Sequence, residues 1–339
     1  MILEKARRCF VVLCILLASS LPGREPADPV PSQAPAGLRA AQSADGCLIL
    51  EGEKKVFFYQ RSPKSLEGKF ARANYLHPLY DLDGNILTED FPKDHFHHRG
   101  IFWAWHQLSV DGKKLGDSWA ADDFSWDVQD VSTWYPDGQS IALKVKVLWR
   151  SSLWRDGAAK PKPLVEETTT IRVLAASRDA RKIDFHLRLL ALEENMMIGG
   201  SEDEKGYGGF SVRIRIPGNP RFTGRTGAIE PKVTAVEAGP WMDLSGSFDG
   251  SGKPGGVAIL SHPSLPVFPP PWILRKDPGM QNAVYPGRRP VPLSPAKPLD
   301  LRYRLVIHRG DAGQAQIDRL QAEFEKELPN LPYPPGPRR

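Results

Sequence analysis

The densest chemistry in the chain lies in residues 88–105, T-E-D-F-P-K-D-H-F-H-H-R-G-I-F-W-A-W, where His95, His97 and His98 sit beside Asp94 and Arg99, just ahead of His106. Imidazoles titrate near neutral pH, so such a cluster supplies general acids and bases, while a neighbouring guanidinium orients an oxygen-rich substrate. Taken as an extended segment, the run sends His95 and His97 to one face and Phe96 and His98 to the other. His-x-His on a strand also suits a divalent metal on His95 and His97, completed by a third ligand such as His106, Glu167, His186 or His262. The plain alternative is a loop whose histidines hydrogen-bond nearby carboxylates. The residues leave all three open: a metal-free polar site, a metal site and a structural loop.

A second cluster, residues 202–213, reads E-D-E-K-G-Y-G-G-F-S-V-R. Gly206, Gly208 and Gly209 permit close backbone approach, and Tyr207 and Arg213 are candidates to reach a sugar or carboxylate. Of the adjacent pair Glu166 and Glu167 only one can face the histidines, because neighbours on a strand point opposite ways; Glu167 is the candidate partner acid or base. Asp94, Trp105, His106 and His262 complete the candidate substrate contacts, with Trp105 and Trp119 among the aromatic faces that suit the C–H face of a sugar ring.

These residues need elements to hold them. Residues 55–60 have strand character, and 141–149, 166–174, 183–192, 210–216 and 299–308 alternate apolar and polar side chains with period two, the mark of half-exposed antiparallel strands. Helical spacing occurs once, at 311–328, where Ile317, Leu320, Phe324 and Leu328 share a face and Asp311 is placed to cap the start. With no βαβ alternation and no glycine-rich phosphate loop, the expected fold is all-β: a large antiparallel β-sandwich with one C-terminal helix. D-L-D-G-N at 81–85 lacks the distal ligands of a calcium loop and reads as a turn.

Residues 1–20 carry a basic start (Lys5, Arg7, Arg8), an apolar run and small residues at 18–20, the pattern of a secretory signal. Residues 21–45 are rich in Pro, Ala and Gly and read as a flexible leader, 46–328 as one domain, and 329–339 as a Pro-rich tail. The expectation is export to the periplasm or beyond, with no membrane contact after cleavage, and Cys47 as the sole cysteine left, so no internal disulfide. A formal charge of +5, part of it in the first 20 residues, is too small and scattered for nucleic acid. The expected partner is a small molecule or carbohydrate.

The histidine run, together with G-D-S-W at 116–119, K-G-Y-G-G-F-S-V-R at 205–213, W-M-D-L-S-G at 241–246, G-V-A-I-L-S-H-P at 256–263 and L-R-Y-R-L-V-I-H-R-G at 301–310, is similar to the bacterial PmoA-like family. The likeness covers most of residues 50–325, and the family's "methane oxygenase" name implies a metal-dependent oxygenase or hydrolase. The closing strand pattern also resembles the galactose-mutarotase-like supersandwich. That resemblance implies a carbohydrate ligand and a histidine pair working with a carboxylate near the anomeric carbon. Carried onto this chain, it points to His97 or His98 with Arg99, and to His186 or His262. Acid/base action on a sugar or polyol (epimerisation, elimination or hydrolysis) is therefore the leading expectation. A non-catalytic sugar-binding or scaffold protein and the metal-dependent enzyme are the alternatives.

Overall fold

A computed structural model of the chain describes residues 37–277 and 279–327. The signal-like segment, most of the leader and the Pro-rich tail lie outside the described residues. Every pairing between described strands is antiparallel. One sheet runs, edge to edge, Leu38–Gln42, Gly46–Glu51, Lys54–Gln60, Tyr75–Leu79, Ile101–Trp105, Gly208–Val212, Gly279–Val284 and Trp272–Lys276. The other runs Phe124–Asp137, Ser140–Arg155, Pro161–Leu174, Ala180–Ala191, Leu299–Arg309, Gly255–Ser261, Trp241–Ser247, Gly218–Gly224 and Gly227–Ala228. The two pack as the all-β sandwich that the period-two pattern requires. Among the described residues no helix is long and apolar enough to cross a membrane.

The core between the sheets is aromatic. Phe210 of the first sheet stacks on Tyr303 of the second at 4.6 Å and meets Phe185 at 5.0 Å, while Trp105 meets Trp149 at 5.5 Å. Burying each such ring removes roughly 150–250 Å² from water, a contribution of a few kcal/mol apiece. The Ile101–Trp105 strand shows how this positions the site. Ile101, Trp103 and Trp105 belong to the inter-sheet core, while Phe102 and Ala104 point outward into a smaller cluster with Tyr75, Trp119 and Met280. The outer face of this strand is the floor of the histidine region.

Two expectations need correction. The leader does not stay unstructured to residue 45: Leu38–Gln42 pairs with Cys47–Glu51 as an edge strand. Its Ala-rich sequence hides this, because an edge strand can be held by main-chain bonds and one anchor, here Leu38 buried in the core. The helix is shorter than 311–328, running Ile317–Phe324. Gln316 is left-handed (φ 54°), and Asp311 accepts from Gln314 N (3.0 Å) in a separate preceding turn rather than capping the helix. Ile317, Leu320 and Phe324 do share the buried face, packed on Trp241, Leu260 and Val306 on the outer side of the second sheet; Leu328 lies outside the described residues.

Candidate functional site

The histidine run is a pair of turns rather than an extended segment. His95 N donates to Pro92 O (3.0 Å) and His98 N to His95 O (2.9 Å), between Phe91 at φ 51° and Gly100 at φ 44°. Those two residues break the strand geometry at either end. Gly100 is obligatory, since a Cβ there would lie 2.0 Å from Leu76 O. Coiling brings all three rings together. His95 stacks on His98 with centroids 4.7 Å apart, and His97 meets His98 edge-on at 4.6 Å. The expected division of His95 and His97 from His98 is thereby replaced by one cluster. Phe96 alone turns away, towards Phe70.

Strand pairing joins this cluster to the second one. Gly208 lies opposite Trp105 and Val212 opposite Ile101, so Tyr207 and Arg213, at the two ends of their strand, flank the histidines. Between them is a cavity of about 300 Å³ lined by His95, His97, His98, His106, Trp119, Tyr207, Arg213 and Arg275, with Ser201, Asp203, Lys205 and Met280. Its polar wall comes from segments far apart in sequence.

Hydrogen bonds assign the imidazole protons. Arg213 is buried; its Nε donates to Glu89 Oε2 (2.8 Å), Nη2 to Asp94 Oδ1 (2.7 Å) and Nη1 to His98 Nδ1 (3.2 Å). A guanidinium only donates, so His98 Nδ1 accepts and its proton sits on Nε2. Burial, followed by His97 and Arg213, pushes the His98 pKa far down, which fixes it as neutral. Asp117 Oδ1 accepts the amides of Trp119 (2.8 Å) and Ala120 (2.9 Å), and its Oδ2 lies 2.8 Å from His106 Nδ1. Burial works against the Asp117 carboxylate, but His106 and these amides outweigh it and hold its pKa low. An ionised Asp117 requires Nδ1–H on His106 and leaves the Nε2 lone pair available, with the ring stacked on Trp119 at 5.3 Å. Asp94 likewise holds His95 Nδ1 (2.7 Å) while bracing Arg213.

His97 makes no hydrogen bond among the described residues, and burial, then His95 and Arg72, lower its pKa to about 4. The fold resists protonating it, so the unfolded chain takes up the proton first as pH falls. Stability should therefore be full above about pH 6.5 and decline towards pH 4, and His97→Gln should make that decline shallower in thermal melts across the window. An unchanged slope would contradict the burial argument.

Several candidate residues lie elsewhere. Arg99 does not reach the cavity: it is buried under Phe91 and Tyr75, donates to Asp90, to the carbonyls of Lys64 and Phe70 (3.0 Å each) and to Tyr75 Oη (2.5 Å), and so ties down the base of the loop. Arg213, by contrast, lines the cavity. Trp105 faces the core, its Nε1 donating to Tyr285 O (2.9 Å). His262 lies under the helix, bonded to Ser264 Oγ (2.8 Å) and edge-on to Phe324, and His186 pairs with Asp300 Oδ1 (2.6 Å) on the second sheet. Glu167 is fully buried between the sheets, accepting from Asn74, Trp103, Trp149 and Thr169. Its bond to Trp103 puts it on the core side of the strand whose other side floors the cavity, so it is not the partner acid or base.

The metal reading changes too. The donors within 4.8 Å of one another belong to Asp94, His95 and His98, not to His95 and His97. This set does not fit a divalent ion, because Asp94 and His98 already bond the Arg213 guanidinium, whose charge opposes a second cation. Two residues not legible as site members were Arg275, which sits in the short strand Trp272–Lys276 with no motif around it, and Asp117, whose turn-forming D-S-W context was a usable signal.

A family model described as a family of unknown function, DUF6807, matches residues 48–322, and that description names no oxygenase. No curated protein sequence matches the chain. Among solved structures, the candidate mutarotase YeaD from Salmonella typhimurium is similar at 11% identity, the alignment covering 84% of this chain and 98% of that one with a TM-score of 0.31.

Proposed function

Because the chain belongs to DUF6807, a family of unknown function, its activity has to be argued from the cavity, and we propose that it binds a carbohydrate or related polyol there and acts on it by histidine proton transfer. The observation that carries this is His106 in the cavity lining, held from behind by Asp117, in a cavity that the neutral His98 also lines. His106 Nε2 is the base that takes a proton from the bound ligand, with Asp117 stabilising the imidazolium that forms. His98 Nε2–H donates a hydrogen bond to a ligand oxygen, and the half-exposed Tyr207 ring offers its face to a sugar's C–H side. The volume of about 300 Å³ suits one small ring or two. Export, argued from residues 1–20, belongs to the same proposal and would put the site where extracellular glycans or their fragments are met.

The test is a screen of sugars and polyols for turnover by the full chain, followed by His106→Ala on whichever substrate responds. Turnover should fall about 100-fold while binding persists, the loss expected for removal of a general base. Full-rate turnover by His106→Ala would sink the acid/base role. Binding without turnover in either protein would leave a sugar-binding protein in its place.

A further inference from the structure

Among the described residues, two guanidinium groups, one in the cavity wall and one behind it, form no ion pair with a carboxylate. Arg275 lines the wall and donates to main-chain carbonyls, Nη2 to Val233 O (2.6 Å), and Nη1 to Leu274 O (3.0 Å) and to Lys232 O, with the Tyr207 hydroxyl as a further, uncharged partner. Arg72 lies directly behind Trp119. It donates through Nη2 to the carbonyls of Ser118 (2.7 Å) and Trp119 (2.9 Å), with its guanidinium over the rings of Phe102 (4.8 Å) and Trp126 (4.3 Å). Its Nε and Nη1 are buried without a hydrogen-bond partner among the described residues. The other cations of the site are answered: Arg213 by Glu89 and Asp94, and Lys205 by Asp203 at 3.4 Å.

A guanidinium buried without a counter-charge is expensive, and a fold keeps such a group where something else supplies the negative charge. Burial, and then Arg99, lower the Arg72 pKa to about 9, a measure of that cost. The neutral His97 and His98 add no compensation, and the attraction of Tyr75 and Asp117 offsets the burial of Arg72 only in part. Arg275 is also placed for contact, its guanidinium 5.5 Å from the Tyr207 ring centroid and steadied by three main-chain acceptors.

We propose that the ligand of this cavity is a sugar acid, whose carboxylate is taken by Arg275 while the buried Arg72 supplies further positive field; this rests on the carbohydrate reading above. A carboxylate fits better than a phosphate. One guanidinium is directly presented, its planar fork matches two carboxylate oxygens, and Asp203 on the same wall opposes a dianion.

Isothermal titration of the full chain with a hexuronate, its neutral hexose and the hexose phosphate tests this. The hexuronate should bind at least 10-fold more tightly than the hexose. Arg275→Gln should erase that preference while leaving hexose affinity in place, and Arg275→Lys, which keeps charge but not the fork, should retain part of it. Equal binding of hexuronate and hexose by the native chain would overturn the sugar-acid assignment and leave the carbohydrate reading standing. Tightest binding of the phosphate would overturn the carboxylate assignment. Binding of none of the three would remove both. A preference that survives Arg275→Gln with circular dichroism unchanged would exclude Arg275 as the anchor.

Discussion

Replacing Glu167 with leucine is expected to cost about 3–5 kcal/mol of folding stability, the range for stripping a buried charged group from its partners. Glu167 is fully buried, and its two oxygens collect every donor around them. Oε1 accepts Trp103 Nε1 (2.9 Å), Thr169 Oγ1 (2.7 Å) and Asn74 Nδ2 (2.9 Å), while Oε2 accepts Trp149 Nε1 (2.8 Å) and the same amide (3.0 Å). Tyr59 extends the network through Asn74 Oδ1 (3.0 Å). Burial pushes the Glu167 pKa up and the four donor groups pull against it. Leucine would leave two indole N–H groups and an amide with no acceptor in a dry interior, each worth about 1–3 kcal/mol. Glutamine keeps the volume but turns an NH2 group towards donors, so it should recover less than half of the loss. Urea unfolding gives the answer through its midpoint at unchanged slope. Either variant within 1 kcal/mol of the native chain would show that this network does not join the two sheets energetically.

Arg213→Met should damage both stability and the site. Arg213 is buried and is the hub of Glu89, Asp94 and His98. Asp94 and Glu89 remain about a third exposed, so water recovers part of their charge, and the stability loss should be about 2–3 kcal/mol rather than the full cost of an orphaned buried ion. The functional effect should be larger. Without the fork, Asp94 no longer fixes the turn, His98 Nδ1 loses its donor and its tautomer, and ligand affinity should fall at least 100-fold. Arg213→Lys separates charge from geometry: an ammonium cannot bridge three partners, so it should restore stability better than binding. Native affinity in Arg213→Met, measured by titration with any ligand from the sugar screen, would show that the hub is only a brace.

Much of this was legible in the sequence, and the misreadings share a cause. Strands such as Ser140–Arg155 and Ala180–Ala191 announce themselves because alternation is a local consequence of one wet and one dry face. The site's position was legible as well, since histidines, carboxylates and arginines crowd into residues 88–106. What could not be read was direction. His98 and Arg99 are neighbours, yet one enters the cavity and the other anchors the loop, and only the turns between Phe91 and Gly100 decide which. Glu167 resembled a catalytic partner because a carboxylate on a strand carries no local mark of the indoles that enclose it. Arg275 was invisible for the opposite reason: its bonding to main-chain carbonyls in place of a carboxylate is a property of tertiary surroundings alone. Leu38–Gln42 escaped notice because its partners, not its composition, make it a strand.

The two-sidedness of Ile101–Trp105 has a consequence for how this protein can change. Positions 101, 103 and 105 answer to the sandwich interior, whereas 102 and 104 answer to the outer cluster beneath the histidine cavity. Substituting Ala104 or Phe102 would act on the cavity from beneath, through the lining residues Trp119 and Met280 packed on them, without reopening the aromatic interior, so cavity shape and fold integrity are set by alternate letters of one five-residue word. Related chains should therefore diversify at the even positions while keeping the odd ones large and apolar, and an engineer seeking a new ligand should start there.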